Sequence, residues 1–338
     1  MTQGLSLEAT VHALYTSILR RPPQPAEIDL ARSRIEAGQN ISELILALAA
    51  TAEAKRYQTR LFVPPGHFYS PVCDPVALDA RFPKVRSGAE ADLPGLNLDI
   101  EKMSRFWTAV LAPQAIATPF PETPAAGFRY HFQNPAYSYG DAIILRAILL
   151  HARPKQIIEV GSGWSSACTV DTLSEMPKLR TKLTFIEPYP ALLESIMWPE
   201  DQERVRIIPR GVQDVDVAEF EKLRANDVLF IDSTHVVKTG SDVVYELCEV
   251  LPRLAPGVYV HFHDIFYPFE YGREWVIDQN RSWNEIYALR NFLTFNTEFE
   301  VVFFNDMFMQ LRRGVLVRDC RSFMNNSGGA LWLRRVEK

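Results

Sequence analysis

Apolar residues recur at two different spacings along the chain, and the change of spacing divides it into parts. Over residues 1–61 they fall three and four positions apart, as in Val11, Leu14 and Ile18, which is the spacing of amphipathic helices. The prolines of Arg20–Glu27 interrupt the first helix, because proline lacks a backbone donor and clashes within a helix. This part is therefore predicted to be a small helical domain.

From residue 139 onward, short apolar runs alternate with stretches of helical spacing. This alternation indicates an α/β fold with a parallel sheet that helices cover on both faces. The predicted strands are Ile157–Val160, Leu183–Ile186, Val205–Ile208, Asp227–Ile231, Val258–Phe262, Phe299–Phe304 and Leu331–Val336. The predicted helices are Ala142–His151, Ser165–Glu175, Ala191–Met197, Val217–Lys222, Gly240–Leu251 and Asn284–Leu293. No crossover helix is evident between the last two strands, so we expect them to pair antiparallel.

The stretch over residues 62–138 is rich in proline and aromatic residues and contains one predicted helix, near Ile100–Leu111. It begins with FVPPGHFYSPVCD, which we expect to be extended and without regular structure. Such a segment can close over a pocket as a lid, and its His67 and Tyr69 would then touch cofactor or substrate. Alternatively, these two residues only anchor a linker. The α/β domain follows this stretch and is predicted to span residues 139–338.

Composition limits the classes of function. The 338 residues suggest about two domains, and 47% hydrophobic with 23% charged residues is typical of a soluble globular protein. A formal charge of -5 and a pI near 5.9 give no electrostatic reason to expect a nucleic-acid partner. Four widely spaced cysteines without a C-x-x-C pair indicate reduced thiols in a cytoplasmic protein. No apolar run reaches the length of about 18 residues that would predict a membrane span.

The stretch KQIIEVGSGWSSACTVD, Lys155–Asp171, predicts a strand, a tight turn and a helix. Glycine is needed where the backbone takes positive φ or lies against a ligand, and a helix N-terminus leaves amide groups free to meet an anion. Gly161, Ser162 and Gly163 are therefore candidate residues of a cofactor loop. An ordinary turn between strand and helix is the alternative, and a dinucleotide loop would place glycine or alanine where Ser166 stands.

Carboxylates or histidines end five successive strands, at the edge where open α/β sheets bind ligands. In chain order they are Glu159, Glu187, Asp214, Asp232 with His235, and His263 with Asp264. Glu187 is placed to accept hydrogen bonds from two ribose hydroxyls, and Asp214 to meet an adenine amino group. Any one of these residues could be a solvated strand end, but five strands in succession indicate a binding site.

The segments EVGSGWSS, FIEP, DSTH and HFHD, in this order, resemble class I S-adenosylmethionine-dependent methyltransferases, particularly the methyltransferase 24 type. The resemblance runs from about Tyr139 to the end of the chain. It implies S-adenosylmethionine as cofactor and a Rossmann-like sheet of seven strands, parallel with a reversed terminal strand. The cofactor-binding residues that it implies are Glu159, Gly161 and Gly163 at the methionine part, Glu187 at the ribose and Asp214 at the adenine, with Ser162 and Asp232 beside them.

D-S-T-H followed by H-D also resembles the metal-dependent sugar O-methyltransferases of macrolide biosynthesis. By this resemblance Asp232 and Asp264 hold Mg²⁺ and His235 is the general base. A sugar hydroxyl is a poor nucleophile, so a cation that polarises it and an imidazole that takes its proton both help. His263 stands where that family has an acidic residue, and magnesium prefers oxygen ligands. A softer divalent ion, with His263 among its ligands, and a metal-free reaction with His235 alone therefore remain the alternatives.

Recognition of the acceptor is predicted to depend on aromatic residues. Six of them follow the H-D pair: Phe266, Tyr267, Phe269, Tyr271, Trp275 and Trp283. Aromatic faces bind the apolar faces of sugar rings, but about half of these residues are expected to lie in the core. The candidate substrate or lid residues of this domain are Tyr139, His263 and Tyr267.

The N-terminal order ALYTSILRRPPQPAEIDLARSRIEAGQNISELILALAATAEAKRY resembles the small helical repeat of the DUF4214 type, found beside bacterial surface-polysaccharide and calcium-binding proteins. The resemblance implies a docking or oligomerisation element that binds a protein partner or a second copy of the chain. An amphipathic appendage that only packs is the alternative.

Together these features predict an S-adenosylmethionine-dependent O-methyltransferase of the cytoplasm that acts on a sugar or glycan hydroxyl, in polysaccharide biosynthesis. A cephalosporin-hydroxylase-like enzyme shares much of this architecture and is one alternative. A nicotinamide enzyme is disfavoured by Ser166 and by the DSTH segment. The third alternative is a catalytically silent module that binds cofactor and recruits partners. Such a module would be indicated by loss of Glu159 or Glu187, but both residues are present.

Overall fold

The computed structural model of this chain describes residues 7–19, 21–58, 62–80, 82 and 90–336. By its packing the chain divides into two units, Met1–Asp74 and Pro75–Lys338. Nowhere in the described part is a helix both long and apolar enough to cross a membrane.

The first unit is helical, as its apolar spacing predicts. Its helices are α1 (Leu7–Leu19), α2 (Pro25–Glu36), α3 (Ile41–Ala49) and α4 (Ala52–Gln58). The break between α1 and α2 falls in the proline-rich stretch, where Pro25 takes the first helical position. Asn40 caps α3 by accepting from the backbone N–H of Glu43 at 3.0 Å. The apolar faces meet in a core of Val11, Tyr15, Leu19, Ala31, Leu44, Leu48 and Ala54.

The second unit contains ten α-helices within its described residues. They are α5 (Pro75–Asp79), α6 (Ile100–Phe106), α7 (Ala112–Ala115), α8 (Tyr139–Ala152), α9 (Trp164–Ser174), α10 (Ala191–Ile196), α11 (Asp242–Tyr245), α12 (Glu285–Leu293), α13 (Asn305–Leu311) and α14 (Arg313–Asp319). A π-helical turn, Trp107–Leu111, joins α6 to α7, so the helix predicted near residues 100–111 is confirmed. The helix predicted at Val217–Lys222 is a 3₁₀ helix.

A sheet of seven strands forms the centre of the second unit, each strand within one residue of its predicted bounds. The strands are β1 (Gln156–Val160), β2 (Lys182–Ile186), β3 (Val205–Ile208), β4 (Val228–Ile231), β5 (Tyr259–Phe262), β6 (Phe299–Phe304) and β7 (Leu331–Arg335). Their order is β3-β2-β1-β4-β5-β7-β6. β7 runs antiparallel to both β5 and β6, which confirms the α/β fold and the reversed terminal strand.

Two short helices, α13 and α14, separate β6 from β7 and were not predicted. Neither serves as a crossover, because β6 and β7 remain antiparallel neighbours. The apolar residues of α13 are buried against the same core as the strands, among them Met307 and Phe308. The connection is therefore part of the packed structure.

The register of the parallel strands brings their carboxyl ends together. Val160 of β1 pairs with Ile186 of β2 and with Ile231 of β4, and Ile231 pairs in turn with Phe262 of β5. The ladder continues one step further, because the N–H of Asp232 donates to the carbonyl of Val160 at 2.9 Å. The polar residues that follow these strands consequently lie side by side at one edge of the sheet.

Candidate functional site

The glycine loop after β1 has the predicted form of a strand, a tight turn and a helix. Gly161 has φ +76°, and a Cβ at this position would stand 1.7 Å from the carbonyl oxygen of Asp232. Only glycine fits there, because a side chain would meet both an unfavourable φ and a backbone atom. The N–H of Gly163 donates to the hydroxyl of Ser166 at 3.1 Å, which closes the first turn of α9.

Glu159 lies at the end of β1 and is fully buried. Its Oε1 accepts from the hydroxyls of Ser165 and Ser166 at 2.6 and 2.8 Å. Burial raises the pKa of Glu159 to about 8, against the opposite effect of the two serine hydrogen bonds. Its Oε2 and the hydroxyl of Ser162 are buried without a partner among the described residues. Because this oxygen and this hydroxyl are free to form hydrogen bonds beside the glycine loop, the residues present fit the amino-acid part of S-adenosylmethionine.

Glu187 follows β2 and holds two loops of the site. Its carboxylate accepts from the N–H of Ser162 at 3.2 Å and from the N–H of Tyr189 at 2.8 Å. The residue is partly exposed and stands beside the glycine loop, as its predicted ribose role requires. Asp214 ends a short 3₁₀ helix after β3 and is exposed; its adenine role stays a prediction.

His235 is the centre of the loops that follow β4 and β5. Its Nε2 lies 3.5 Å from Oδ1 of Asp232 and 3.6 Å from Oδ2 of Asp264. The other oxygen of Asp264 lies 3.5 Å from Nε2 of His263. The structure therefore brings together all four residues that the sequence places at these two strand ends, with Asp264 between two imidazole rings.

Residues 283–285 hold His235 in place, and sequence reasoning missed their role. Nδ1 of His235 lies 2.7 Å from Oε2 of Glu285, and the N–H groups of Asn284 and Glu285 donate to the His235 carbonyl at 3.0 and 3.1 Å. The ring of Trp283 lies 4.4 Å from the imidazole. Glu285 is 1% exposed and is 50 positions away in the chain. No spacing in the sequence could have connected it with His235.

Charge balance sets the pKa of His235. Burial alone would lower this pKa, but the hydrogen bond and charge of Glu285, together with the charges of Asp232 and Asp264, raise it above 6.5. Because the Glu285 carboxylate is an acceptor, Nδ1 carries the hydrogen in the neutral ring and Nε2 keeps the lone pair. The basic nitrogen thus faces the strand ends.

Two more buried acids hold the rest of the loop. Oε2 of Glu246 accepts from the hydroxyl of Ser233 at 2.9 Å. Asp242 accepts from both the N–H and the hydroxyl of Thr234, at 2.9 and 2.7 Å. Each of the three residues after Asp232 therefore has its own carboxylate partner, which fixes the loop that presents His235.

His263 and Asp141 form the buried side of the site. Burial would lower the pKa of His263, but the charges of Asp232, Asp264 and Asp141 raise it to about 9. Asp141 lies in the first turn of α8, where burial raises its pKa to about 7. Nδ1 of His263 is buried without a partner among the described residues. The site is rich in carboxylates, and His263 is the cation among them.

The predicted metal ligands do not form a closed set. Across residues 7–19, 21–58, 62–80, 82 and 90–336, no group of three or more His, Cys, Asp or Glu side chains could hold a metal ion. The carboxylates of Asp232 and Asp264 both face His235, and His263 supplies a nitrogen where Mg²⁺ prefers oxygen. These residues fit a resident Mg²⁺ poorly, and the metal is not confirmed.

The six aromatic residues after the H-D pair divide evenly. Tyr267, Phe269 and Tyr271 are 2%, 1% and 2% exposed and belong to the core. The hydroxyl of Tyr267 accepts from the backbone N–H of Ala91, so it already has a structural partner. The other three are partly exposed and pack at the edge of the core: Phe266, Trp275 and Trp283.

The remaining candidate substrate or lid residues are placed as follows. Tyr139 begins α8, stacks on Phe132 at 4.8 Å and donates its hydroxyl to Glu122 at 2.6 Å. His67 and Tyr69 lie in the irregular end of the first unit, where Tyr69 is 67% exposed. A lid or substrate role for these residues stays a prediction.

A cavity of about 1180 Å³ opens at the other end of the strands. Its lining includes Gln156, Lys182 and Val205, the first residues of β1, β2 and β3. None of the predicted site residues contributes to it. It is therefore separate from the site at the carboxyl ends.

Comparison with known proteins agrees with this geometry. Residues 158–265, which include the glycine loop and extend past Asp264, match the family model of a methyltransferase domain. An uncharacterized protein of Archaeoglobus fulgidus is 31% identical over 193 residues, which are 56% of this chain and 84% of that protein. The DUF4214-type resemblance of the N-terminal module is not confirmed and stays a prediction.

Two solved structures are similar to parts of this chain. The SAH-bound methyltransferase PaMTH1 of Podospora anserina is 13% identical, with a TM-score of 0.37, over 72% of this chain and 91% of its own. The structure of cmcI-D160 with Mg and SAM is 14% identical, with a TM-score of 0.35, over 83% of this chain and 100% of its own. At these TM-scores the likeness carries no argument.

Proposed function

We propose that this chain is a class I S-adenosylmethionine-dependent methyltransferase that methylates a hydroxyl oxygen of a sugar or glycan, with His235 as general base. The observation that carries the proposal is the Glu285–His235 pair at 2.7 Å. A buried carboxylate that fixes the tautomer of an imidazole is the arrangement of a general base. The basic Nε2 faces the strand ends, where the cofactor loop lies.

The proposed reaction is a direct transfer. When bound, S-adenosylmethionine would supply a sulfonium methyl group, so that the O–CH₃ bond would form as the S–CH₃ bond breaks and its electron pair stays on sulfur. His235 takes the hydroxyl proton at Nε2, while Glu285 stabilises the resulting imidazolium. Glu159 and Ser162 would bind the amino-acid part of the cofactor, and Glu187 its ribose. Asp214 is the candidate for the adenine.

We derive no step through a metal ion, because the donor set fits Mg²⁺ poorly. Asp232 and Asp264 are instead proposed to hold the imidazolium by their charges, at 3.5 and 3.6 Å from Nε2. Turnover measured in EDTA and with added Mg²⁺ or Mn²⁺ distinguishes a metal-free reaction from a metal-dependent one. Loss of turnover in EDTA and its recovery with a divalent ion would return Asp232 and Asp264 to the role of ligands.

The sugar acceptor and a place in polysaccharide biosynthesis are supported by two observations. Trp283 is partly exposed beside His235, and the partly exposed ring of Trp275 packs on Trp283 at 5.3 Å, as a sugar-binding surface requires. The N-terminal module resembles those found with surface-polysaccharide proteins. A screen of neutral and anionic sugars for formation of S-adenosylhomocysteine tests the class of acceptor.

Cofactor binding is the first test of the proposal. We expect the protein to bind S-adenosylhomocysteine with a micromolar Kd and Glu187→Ala to weaken binding by about 10- to 100-fold, since each charge-assisted hydrogen bond contributes about 1.5–3 kcal/mol. Calorimetry measures both. Glu194→Ala, an exposed acid on α10, is the matched control and should bind like the parent. Absence of binding to the parent protein would refute the proposed function.

Glu285→Gln tests the positioning of the base. We expect kcat to fall by about 10- to 100-fold, because the variant loses a charge-assisted hydrogen bond and its amide can select the wrong tautomer. The rising limb of the pH–kcat profile should move to lower pH, since Glu285 raises the pKa of His235. Glu246→Gln, which alters a neighbouring buried carboxyl that contacts Ser233, should leave that limb in place. An unshifted limb in Glu285→Gln would contradict the positioning role.

A further inference from the structure

Two indole rings, one of them in contact with His235, hold one guanidinium group. Cζ of Arg281 lies 4.2 Å from the ring centroid of Trp275 and 4.5 Å from that of Trp283. The two rings meet edge to face at 5.3 Å, and Trp283 also contacts the ring of His235 at 4.4 Å. We call Trp275, Arg281 and Trp283 the cation platform. It is in direct contact with the candidate base.

The position of Arg281 is fixed without a carboxylate. Its Nε donates to Oε1 of Gln279 at 2.6 Å, and its backbone N–H donates to the Trp275 carbonyl at 3.0 Å. The side-chain amide of Gln279 in turn donates to Glu274 at 3.0 Å. Stacking on aromatic faces orders a guanidinium and leaves its charge unneutralised.

The acids near Arg281 in the chain are bound elsewhere. Asp278 pairs with Arg273 at 2.9 Å, and Glu274 accepts from Gln279. Within the part of the chain that the structure describes, Arg281 forms no salt bridge, and its two terminal nitrogens donate to no protein acceptor. A cation that is held rigidly but left without a counter-ion is suited to bind an anion on a ligand.

We propose that Arg281 binds an anionic group of the acceptor, so that the substrate is a sugar bearing a carboxylate or a phosphate. The inference rests on the proposed function, because it takes the acceptor to be the molecule that meets His235. A guanidinium binds either anion through paired N–H groups. Trp283 touches both Arg281 and His235, which places the anion-binding group and the base within the reach of one sugar residue. Without Arg281, Asp232 and Asp264 would repel such a substrate.

The test compares three sugars on the full chain saturated with S-adenosylhomocysteine. The probes are glucose, glucuronate and glucose 1-phosphate, and the readouts are calorimetry and tryptophan fluorescence, to which Trp275 and Trp283 contribute two of the six tryptophans. We expect at least one anionic sugar to bind about tenfold more tightly than glucose, as one charge-assisted contact allows. The better of the two anionic sugars identifies the anion as a carboxylate or a phosphate ester.

Variants test whether Arg281 causes the preference for anionic sugars. Arg281→Gln should reduce binding of the anionic sugar to the level of glucose, and Arg281→Lys should retain part of the preference because it keeps the charge. Arg273→Gln, an exposed arginine of the same segment, should behave like the parent. Equal binding of the three sugars, binding of none, or an anion preference that survives in Arg281→Gln would each overturn the proposal.

Failure of the proposed function gives a different result. Calorimetry of S-adenosylhomocysteine on the same samples reports the cofactor site alone. A protein that binds no cofactor but prefers anionic sugars through Arg281 would refute the methyltransferase proposal and retain the anion site. Normal cofactor binding without a preference for anionic sugars would refute the anion site and leave the methyltransferase proposal standing.

Discussion

Replacing His235 with asparagine should lower kcat by about 10²- to 10⁴-fold, the usual contribution of a general base. His235 has φ +60°, and asparagine tolerates this left-handed backbone better than most residues. The variant therefore removes the imidazole with little strain in the loop. Its affinity for S-adenosylhomocysteine should stay within about threefold of the parent, because the base acts in the transition state and not on the bound cofactor.

The pH profile distinguishes a base from a structural residue. Only the neutral imidazole accepts a proton, so kcat of the parent should rise with pH through the pKa of His235, which lies above 6.5. The residual activity of His235→Asn should lack this limb. His151→Gln, an exposed histidine at the end of α8, serves as the control. A variant that keeps more than about a tenth of the parent kcat, with the limb intact, would exclude His235 as the base.

The sequence was sufficient to predict where the strands end and which polar residues follow them. Short apolar runs mark buried parallel strands, and parallel strands place their carboxyl ends at one edge. Glu187, Asp232 and His263 are therefore predictable as neighbours, and the register confirms it. Gly161 was predictable for the same reason, since a turn directly after a strand at a ligand edge needs a positive φ.

Contacts between distant segments were not predictable. Glu285 is the first residue of α12, a position where an acid is common because of the helix dipole alone. Its pairing with His235 depends on how α12 packs against the loop after β4. Burial of the aromatic residues was not predictable either. Tyr267 and Trp283 both follow the H-D pair in the sequence, but packing buries Tyr267 and leaves Trp283 partly exposed.

Arg129 is a second residue whose importance only packing reveals. Its Nη1 lies 2.8 Å from Asp171, its Nε lies 2.8 Å from Asp201, and all three side chains are at most 4% exposed. Its guanidinium also stacks on Trp198 at 3.6 Å. Asp171 belongs to α9, the helix that follows the glycine loop. Arg129 thus joins α9 to the segment that contains Asp201, and the two aspartates lie 42 and 72 positions away from Arg129 in the chain.

Arg129→Met should lower the free energy of unfolding by about 3–5 kcal/mol, because it leaves the buried carboxylate of Asp171 without a counter-charge and that of Asp201 with only the more exposed Arg204. Urea unfolding followed by tryptophan fluorescence measures the loss. The deficit should shrink as pH falls, since burial already raises the pKa of Asp171 and a protonated carboxyl needs no cation. Combining Arg129→Met with Asp171→Asn and Asp201→Asn should recover part of the stability for the same reason.

Arg204→Met is the matched control for this prediction. Arg204 also pairs with Asp201, at 3.3 Å, but its side chain is 32% exposed, so its removal should cost no more than about 1 kcal/mol. Equal losses in Arg129→Met and Arg204→Met would show that burial of the charges is not what makes Arg129 important. A large loss of stability in Arg129→Met that Asp171→Asn and Asp201→Asn relieve would instead show that the uncompensated carboxylates cause the loss. The charge pairs of Arg129 would then be what keeps α9 and the cofactor loop in position.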